Sequence, residues 1–199
     1  MGGTTYDLYF KGQFQTRVSL VVPGRHNVLN SLGALAAARA IDVPLEKIVA
    51  ALAGFHGVKR RFETKGKVEN VWIVDDYAHH PTEIAVTLKA AKQTGAKRVV
   101  CVFQPHRYTR TKILHAQFCQ CFKDCDLLVL THIFSAGEEP IPGVSSRELA
   151  DAVHLTTGQE VVYIEDFAKV TEYLEKIAAP GDIIMTMGAG DVYTIGEKL

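Results

Sequence analysis

The sequence predicts an α/β protein with a mostly parallel sheet covered by helices on both faces, preceded by a short block of hairpin and helices. Two observations support this prediction. From residue 71 onward, short runs of apolar and β-branched residues alternate regularly with helical patterns. Such strands, joined by crossover helices, pair in parallel and bury both faces of the sheet.

The first block, residues 1–57, has a different pattern. Two β-rich runs within residues 5–22 surround Lys11-Gly12, which predicts a hairpin. An alanine-rich helix is expected over 27–41 and a second helix over 44–55. This block is too small for a complete domain, and we interpret it as the end of a larger one.

The second block, residues 58–199, contains five strand–helix units. Its expected strands cover 71–76, 97–103, 126–131, 160–164 and 182–187. The helices that follow them are expected over 81–95, 111–124, 145–156, 166–178 and 191–199.

Composition indicates an ordinary globular protein, with 47% hydrophobic and 22% charged residues. The 22 basic residues equal the 22 acidic ones, so net charge gives no reason to expect nucleic acid or an anionic membrane as a partner. No secretory signal or membrane span is recognisable, which predicts a cytoplasmic protein. The four cysteines match no zinc or disulfide spacing, so we expect packed, reduced thiols and no metal site.

Polar clusters follow four of the predicted strands. They read DDYAHHP after the first, QPHRYTR after the second, HIFSAGEEPIPG after the third and GAGD after the fifth. Parallel α/β sheets bind ligands outside the carboxyl ends of their strands. The four clusters therefore predict one ligand-binding edge.

The first cluster places two carboxylates and two histidines next to each other. Unpaired buried charge is costly, so we expect Asp76, Tyr77, His79 and His80 to be loop residues that face the cleft, with Pro81 beginning the next helix. Adjacent histidines point apart, which favours polar contacts to a substrate or nucleotide over a metal site.

The second cluster contains Arg107 and Arg110, three residues apart. If a helix begins there, the two guanidinium groups can converge on one carboxylate or phosphate. Cations at a helix N-terminus oppose the helix dipole, which also favours an anionic ligand. Two weaker signals are the glycine turn at residues 188–191 and the basic run Lys59-Arg60-Arg61, where one arginine could stabilise phosphate charge.

These motifs closely resemble those of the bacterial Mur ligases. PGRHNVLN, GVKRRFE, DDYAHHPTEI, FQPHRYTRT, SAGEEPIPG and GAGD occur in this order over nearly the whole chain. The resemblance implies a Rossmann-like domain and a role in peptidoglycan synthesis. Within the family, it points to ATP- and Mg²⁺-dependent joining of L-alanine to UDP-N-acetylmuramate through an acyl phosphate.

The resemblance also implies roles for individual residues. Asn27 and Asn30 match positions that meet ATP, while Arg61 and Asp76 match an arginine and an aspartate that act at its phosphates and ribose. The incoming amino acid's carboxylate would be held by the residues His106, Arg107 and Arg110. His79 and His80 look like lining residues of the same cleft.

One departure from the family pattern shapes the interpretation. The phosphate-binding motif GxxxxGK[ST] does not occur in the sequence, and neither do the family's magnesium ligands or its uridine-binding domain. We interpret residues 1–57 as the end of the central ATPase domain and 58–199 as the C-terminal, amino-acid-binding domain. The N-terminal domains of the same enzyme are then its partner, and the chain alone is expected to be inactive.

Three alternatives remain open. A recycling ligase that adds a tripeptide to the same sugar nucleotide shares DDYAHHP but departs where HRYTR stands. A stand-alone nucleotide-binding module is the second alternative. The third is a metal-dependent hydrolase built on Asp76, His79, His80 and His106.

Overall fold

The computed structural model describes residues 3–199. Contacts divide the chain into two compact units, Met1–Val58 and Lys59–Leu199. No helix in the described residues is both long enough and apolar enough to cross a bilayer.

The first unit contains a hairpin and two helices. Strand β1 (Thr4–Phe10) pairs antiparallel with β2 (Gln13–Leu20), and positive φ angles at Lys11 and Gly12 form the turn. Helices α1 (Arg25–Ala40) and α2 (Leu45–Ala53) follow and supply the apolar residues that cover the hairpin. The predicted hairpin and both predicted helices are confirmed.

The second unit is built on a six-stranded sheet in the order β3-β4-β8-β5-β6-β7. The first pair is antiparallel and all other pairs are parallel. The strands are β3 (Glu63–Val68), β4 (Val71–Asp76), β5 (Arg98–Phe103), β6 (Leu127–Leu130), β7 (Val161–Tyr163) and β8 (Asp182–Met187). The five predicted strands are confirmed.

Helices cover both faces of this sheet, as predicted. Alternate residues of β5 enter two separate apolar clusters, Cys101 and Phe103 in one and Val100 and Val102 in the other. The first cluster contains residues of α3, α5 and α6, and the second contains residues of α7 and α8. The helices are α3 (Pro81–Gln93), α4 (Tyr108–Ile113), α5 (His115–Phe118), α6 (Ser146–Thr157), α7 (Phe167–Ile177) and α8 (Tyr193–Gly196).

Two details differ from the sequence predictions. Strand β3 was not predicted because ETKGKV is polar and contains glycine, a composition suited to an exposed edge strand. The single helix expected over 111–124 is instead two short helices followed by turns. It is interrupted at Leu114, whose φ of −100° and ψ of 16° leave the helical region.

Candidate functional site

The candidate site lies at the carboxyl ends of β4, β8 and β5, which are neighbours in the sheet. The chain leaves β4 and β5 toward helices on one face and leaves β8 toward α8 on the other face. Neighbouring strands that send their connections to opposite faces open a crevice between them, where α/β proteins bind ligands.

Arg60 forms the floor of this site. Its Nε donates to Asp75 Oδ2 (2.9 Å), while Nη1 and Nη2 donate to the carbonyls of Gly190 (3.0 Å) and Gly188 (2.6 Å). Its guanidinium group also lies over the rings of Tyr77 and Tyr193, at 5.0 and 4.7 Å. Arg60 therefore ties the end of β4 to the loop after β8.

Asp75 itself is fully buried and satisfied within the protein. Besides Arg60, Thr186 Oγ1 donates to its Oδ1 at 2.7 Å. A guanidinium group and a hydroxyl together supply donors to both oxygens of this buried carboxylate. The adjacent carboxylates are thus satisfied by protein groups, whereas the sequence suggested exposure at an edge.

The expectation that Asp76 is a loop residue facing the cleft is wrong. It is the last residue of β4 and only 4% exposed, and its oxygens accept the backbone N–H groups of Phe62 (2.7 Å) and Ala78 (2.7 Å). Burial raises the pKa of Asp76, and these two hydrogen bonds oppose that rise. Its side chain fixes the backbone on either side of the site.

His80 and Glu83 cap helix α3. His80 Nδ1 accepts from the N–H of Thr82 (3.3 Å), and Glu83 Oε2 accepts from the N–H groups of His79 (3.1 Å) and His80 (3.3 Å). Pro81 occupies the first helical turn, as predicted. His80 therefore has a structural partner for Nδ1, although the residue remains exposed.

His79, of the motif DDYAHHP, lies close to His106, of the motif QPHRYTR. Its Nδ1 is 2.9 Å from the carbonyl of Tyr77, and its ring centroid is 6.1 Å from that of His106. The structure therefore brings together two of the predicted substrate-binding histidines.

His106 is held on two sides. Its ring stacks on Phe134, with centroids 5.4 Å apart and an interplanar angle of 13°, and Arg110 Nη1 lies 3.1 Å from its Nδ1. The backbones are also joined, since Arg107 N–H donates to the Phe134 carbonyl at 2.8 Å. Burial lowers the pKa of His106, and the positive charges of Arg110, His79 and Arg107 lower it further, while Glu138 opposes them.

Arg107 and Arg110 have different partners. Arg107 lies half exposed with Nη1 3.8 Å from Glu138 Oε1, whereas Arg110 contacts His106 through both Nδ1 and the carbonyl. The two guanidinium groups therefore have separate partners within the protein. Glu138, on the loop after β6, also accepts from the N–H and hydroxyl of Thr109.

The loop after β8 is fitted closely around Gln104. Gln104 Nε2 donates to Asp191 Oδ1 (2.8 Å) and its Oε1 accepts from the N–H of Val192 (3.2 Å). A Cβ on Gly190 would lie 2.3 Å from Gln104 Oε1, and one on Gly188 would lie 2.7 Å from the Gln104 carbonyl. These glycines are needed for close approach.

The remaining candidate residues are Arg61 of the second unit and two asparagines of the first. Arg61 is exposed, with its guanidinium 5.7 Å from the Tyr77 ring. Asn27 and Asn30 belong to α1 of the first unit, where Asn27 Nδ2 donates to the Pro23 carbonyl at 2.7 Å and Asn30 is exposed.

The geometry does not support the metal-dependent hydrolase. Among residues 3–199, no group of three or more His, Cys, Asp or Glu side chains is placed to hold a metal ion. Asp76, which that alternative requires, directs its oxygens to backbone N–H groups. The four cysteines, Cys101, Cys119, Cys121 and Cys125, are free and buried, as expected for packed thiols.

Sequence reasoning missed the residues that support the site, chiefly Arg60, Gln104, Phe134 and Glu138. All four stand inside the quoted motifs, so position relative to strand ends was an available signal. The side-chain hydrogen bonds of Arg60, Gln104 and Glu138 reach partners 15 to 130 residues away, as in Arg60 with Asp75 and with Gly190. No local pattern predicts such pairings.

The fold and the site together define a Rossmann-like α/β domain with charged side chains at the carboxyl ends of its strands. A family model described as "Mur ligase, glutamate ligase domain" matches residues 60–190. The chain belongs to the Mur ligase family.

Two curated relatives are similar to almost the whole of this chain. A UDP-N-acetylmuramate–L-alanine ligase from Pelotomaculum thermopropionicum is 46% identical over 98% of this chain and 42% of its own length. One from Geobacter sp. (strain M21) is 48% identical over 98% of this chain and 43% of its own length. The chain thus spans less than half the length of these relatives.

Solved structures agree on the fold. The UDP-N-acetylmuramate–alanine ligase of Thermotoga maritima is similar with a TM-score of 0.81 at 26% identity, over 98% of this chain and 42% of that one. A murein peptide ligase from Psychrobacter arcticus gives a TM-score of 0.65 at 27% identity, over 92% of this chain and 39% of that one.

Proposed function

We propose that this chain is the amino-acid-binding part of an ATP-dependent ligase that joins L-alanine to UDP-N-acetylmuramate in peptidoglycan synthesis. The observation that carries the proposal is the basic group at the carboxyl end of β5, where Arg107 is half exposed beside the partly buried imidazole of His106. A guanidinium group beside a hydrogen-bond donor is suited to an amino acid's carboxylate. The names of the relatives at 46–48% identity supply the substrate.

In this proposal the residues divide into two groups. His106 and Arg107 face the carboxylate of L-alanine, and His79 and His80 line the same cleft. Arg61 offers an exposed charge to the phosphates of ATP. For the first unit, taken by itself, we propose that Asn27 and Asn30 contact ATP. Asp76 acts indirectly by holding the backbone of Phe62 and Ala78.

The residues present do not form a complete ATP and Mg²⁺ site. The chain has no GxxxxGK[ST] motif to bind phosphates, and residues 3–199 contain no set of three acidic, histidine or cysteine side chains placed for a metal. We propose that the rest of the enzyme provides both and binds the uridine nucleotide. Without that phosphate clamp, the chain alone should not turn over.

The test is reconstitution. The chain is mixed with the part of the Pelotomaculum thermopropionicum ligase that it does not match, and alanine-dependent phosphate release is measured. We expect activity that Arg107→Ala or Arg61→Ala abolishes. Arg147→Ala, which removes an exposed arginine over Tyr163, is the matched control and should retain activity. Activity indifferent to the first two substitutions would contradict the proposed roles.

The recycling ligase remains the second candidate. The similarity to the murein peptide ligase supports it, at 27% identity, although the TM-score is lower than for the alanine ligase. Supplying the tripeptide instead of alanine in the same assay separates the two, because only one substrate should release phosphate. A stand-alone nucleotide-binding module would instead bind ATP without any gain from the complementary piece.

A further inference from the structure

We infer that Arg110 is a positioning residue for the amino-acid site: it holds His106 as a neutral imidazole whose proton is on Nε2. This assignment refines the proposed function, on which only its ligand part depends. It replaces direct contact between Arg110 and the substrate, as the motif alone suggested, with an action through His106.

Arg110 donates a hydrogen bond to the ring of His106. Arg110 Nη1 lies 3.1 Å from His106 Nδ1, and a guanidinium group can only donate. Nδ1 must therefore be an acceptor and carry no proton. A second contact, from Arg110 Nη1 to the His106 carbonyl at 3.3 Å, anchors the guanidinium to the same residue.

This hydrogen bond also decides the charge of the His106 ring. With Nδ1 as an acceptor, the imidazole is neutral and its one proton is on Nε2. The groups that face the ring agree with this state, since Arg110 and Arg107 on the loop and helix after β5, and His79 after β4, all disfavour a further positive charge. The carboxylate of Glu138, after β6, opposes them.

The remaining ring proton of His106, on Nε2, is available to a ligand. Phe134 stacks on the ring at an interplanar angle of 13° and so fixes its plane. Within residues 3–199 the structure gives Nε2 no acceptor. A fixed donor without a protein acceptor, beside the half-exposed Arg107, is suited to the carboxylate of the incoming amino acid.

His132 supplies an internal control with the opposite tautomer. Gln104 Nε2, whose orientation is set by Asp191 and Val192, lies 3.2 Å from His132 Nε2, so that nitrogen is the acceptor. His132 Nδ1 is 3.1 Å from the Glu165 carbonyl and must donate to it. Neither contact involves Arg110.

The experiment is a two-bond ¹H–¹⁵N spectrum of the histidine rings, recorded on this chain above pH 8, where histidines are neutral. We expect His106 to show a protonated Nε2 and His132 a protonated Nδ1. Arg110→Met should lower the tautomer ratio of His106 about tenfold, the effect of losing a hydrogen bond from a charged donor, and leave His132 unchanged. Arg107→Met removes a neighbouring charge but not the bond, so it should preserve the tautomer.

Two results would overturn the inference: a protonated Nδ1 at His106 in the unaltered chain, or the same ring shifts in Arg110→Met. Backbone amide spectra show whether each variant is folded, and Arg110→Lys, which keeps a cationic donor, should partly restore the tautomer.

In the reconstituted ligase, His106→Gln places an amide N–H near the Nε2 position and should retain more affinity for alanine than His106→Asn. Equal KM values for these two variants would overturn the ligand part alone. Absence of activity in the unaltered mixture would count against the proposed function, while the ring spectra still decide the role of Arg110.

Discussion

The two ends of the parallel sheet carry their charged side chains in different ways. At the amino end, Arg98 donates to both oxygens of Asp182 (3.2 and 2.5 Å) and Lys92 lies 2.6 Å from Asp126. These carboxylates also accept backbone N–H groups, including that of Val99. Arg98 and Lys92 therefore have carboxylate partners within the fold.

At the carboxyl end, Arg60 is paired with a carboxylate in the same manner, and the arginines nearer the surface are not. Arg60 and Asp75 form a buried ion pair beneath the site, whereas Arg61 is exposed and Arg107 is 3.8 Å from its nearest carboxylate oxygen. The difference indicates that the charges at the amino end stabilise the fold, whereas Arg61 and Arg107 at the other end are open to solvent.

The strongest test of this comparison pairs one arginine from each end. Arg60→Met should lower the free energy of unfolding by about 3 to 5 kcal/mol, because it leaves the fully buried Asp75 with one hydroxyl donor. Arg98→Met should cost somewhat less, about 2 to 3 kcal/mol, since Ala179 N–H still donates to Asp182. Urea denaturation measures both.

The two variants should differ in a second measurement. Arg60 holds the carbonyls of Gly188 and Gly190, so Arg60→Met should also shift the ring resonances of His106, whereas Arg98→Met should leave them unchanged. An exposed pair, Arg17 with Asp7, provides a control whose removal should change the stability much less than either of these. Similar shifts of His106 in both buried-pair variants would remove the distinction between the ends.

A substitution without charge is expected to have the next largest effect. In Gly190→Ala the new Cβ would lie 2.3 Å from Gln104 Oε1 and 2.8 Å from Phe134 Cγ, which should cost about 1 to 3 kcal/mol and displace the ring that stacks on His106. Gly66→Ala, with no heavy atom within 4 Å of the new Cβ, is the matched control. A stability of Gly190→Ala equal to that control would show that the loop after β8 is not closely fitted.

The sequence allowed prediction of most of this fold because its strands are apolar and its helices periodic. It also predicted which strand ends carry the site, since motifs such as DDYAHHP and QPHRYTR adjoin those ends. The burial of Asp76 and the separate partners of Arg107 and Arg110 were beyond its reach. They depend on Phe62, Phe134 and other residues brought close only by tertiary folding.

A smaller effect is expected at the start of α3. Glu83→Ala removes the acceptor for the N–H groups of His79 and His80, which should cost about 1 kcal/mol. Glu175→Ala, on the exposed side of α7, is the control and should be nearly neutral. A loss of stability with unchanged His79 ring resonances would show that the cap of α3 and the ligand site are independent.

The smallest effect concerns pH and the loop after β6. Hydrogen bonds from the Thr109 hydroxyl and N–H lower the pKa of Glu138 below its ordinary 4.5, and the charge of Arg107 adds to them. Since the folded pKa is the lower one, the stability that this carboxylate contributes is present above pH 4.5 and is lost as the pH falls through the lowered value.

The amide resonance of Thr109 measures this directly. We expect it to titrate with a midpoint below 4.5, and Glu138→Gln should abolish the step. At the amino end, Asp126 accepts the N–H of Val99. The Val99 amide should therefore titrate with a midpoint below the ordinary pKa of an aspartate. Arg107→Met should move only the Thr109 midpoint upward, because Arg107 contacts Glu138. A Thr109 midpoint at or above 4.5 would mean that the hydrogen bonds between Glu138 and Thr109 do not hold this loop.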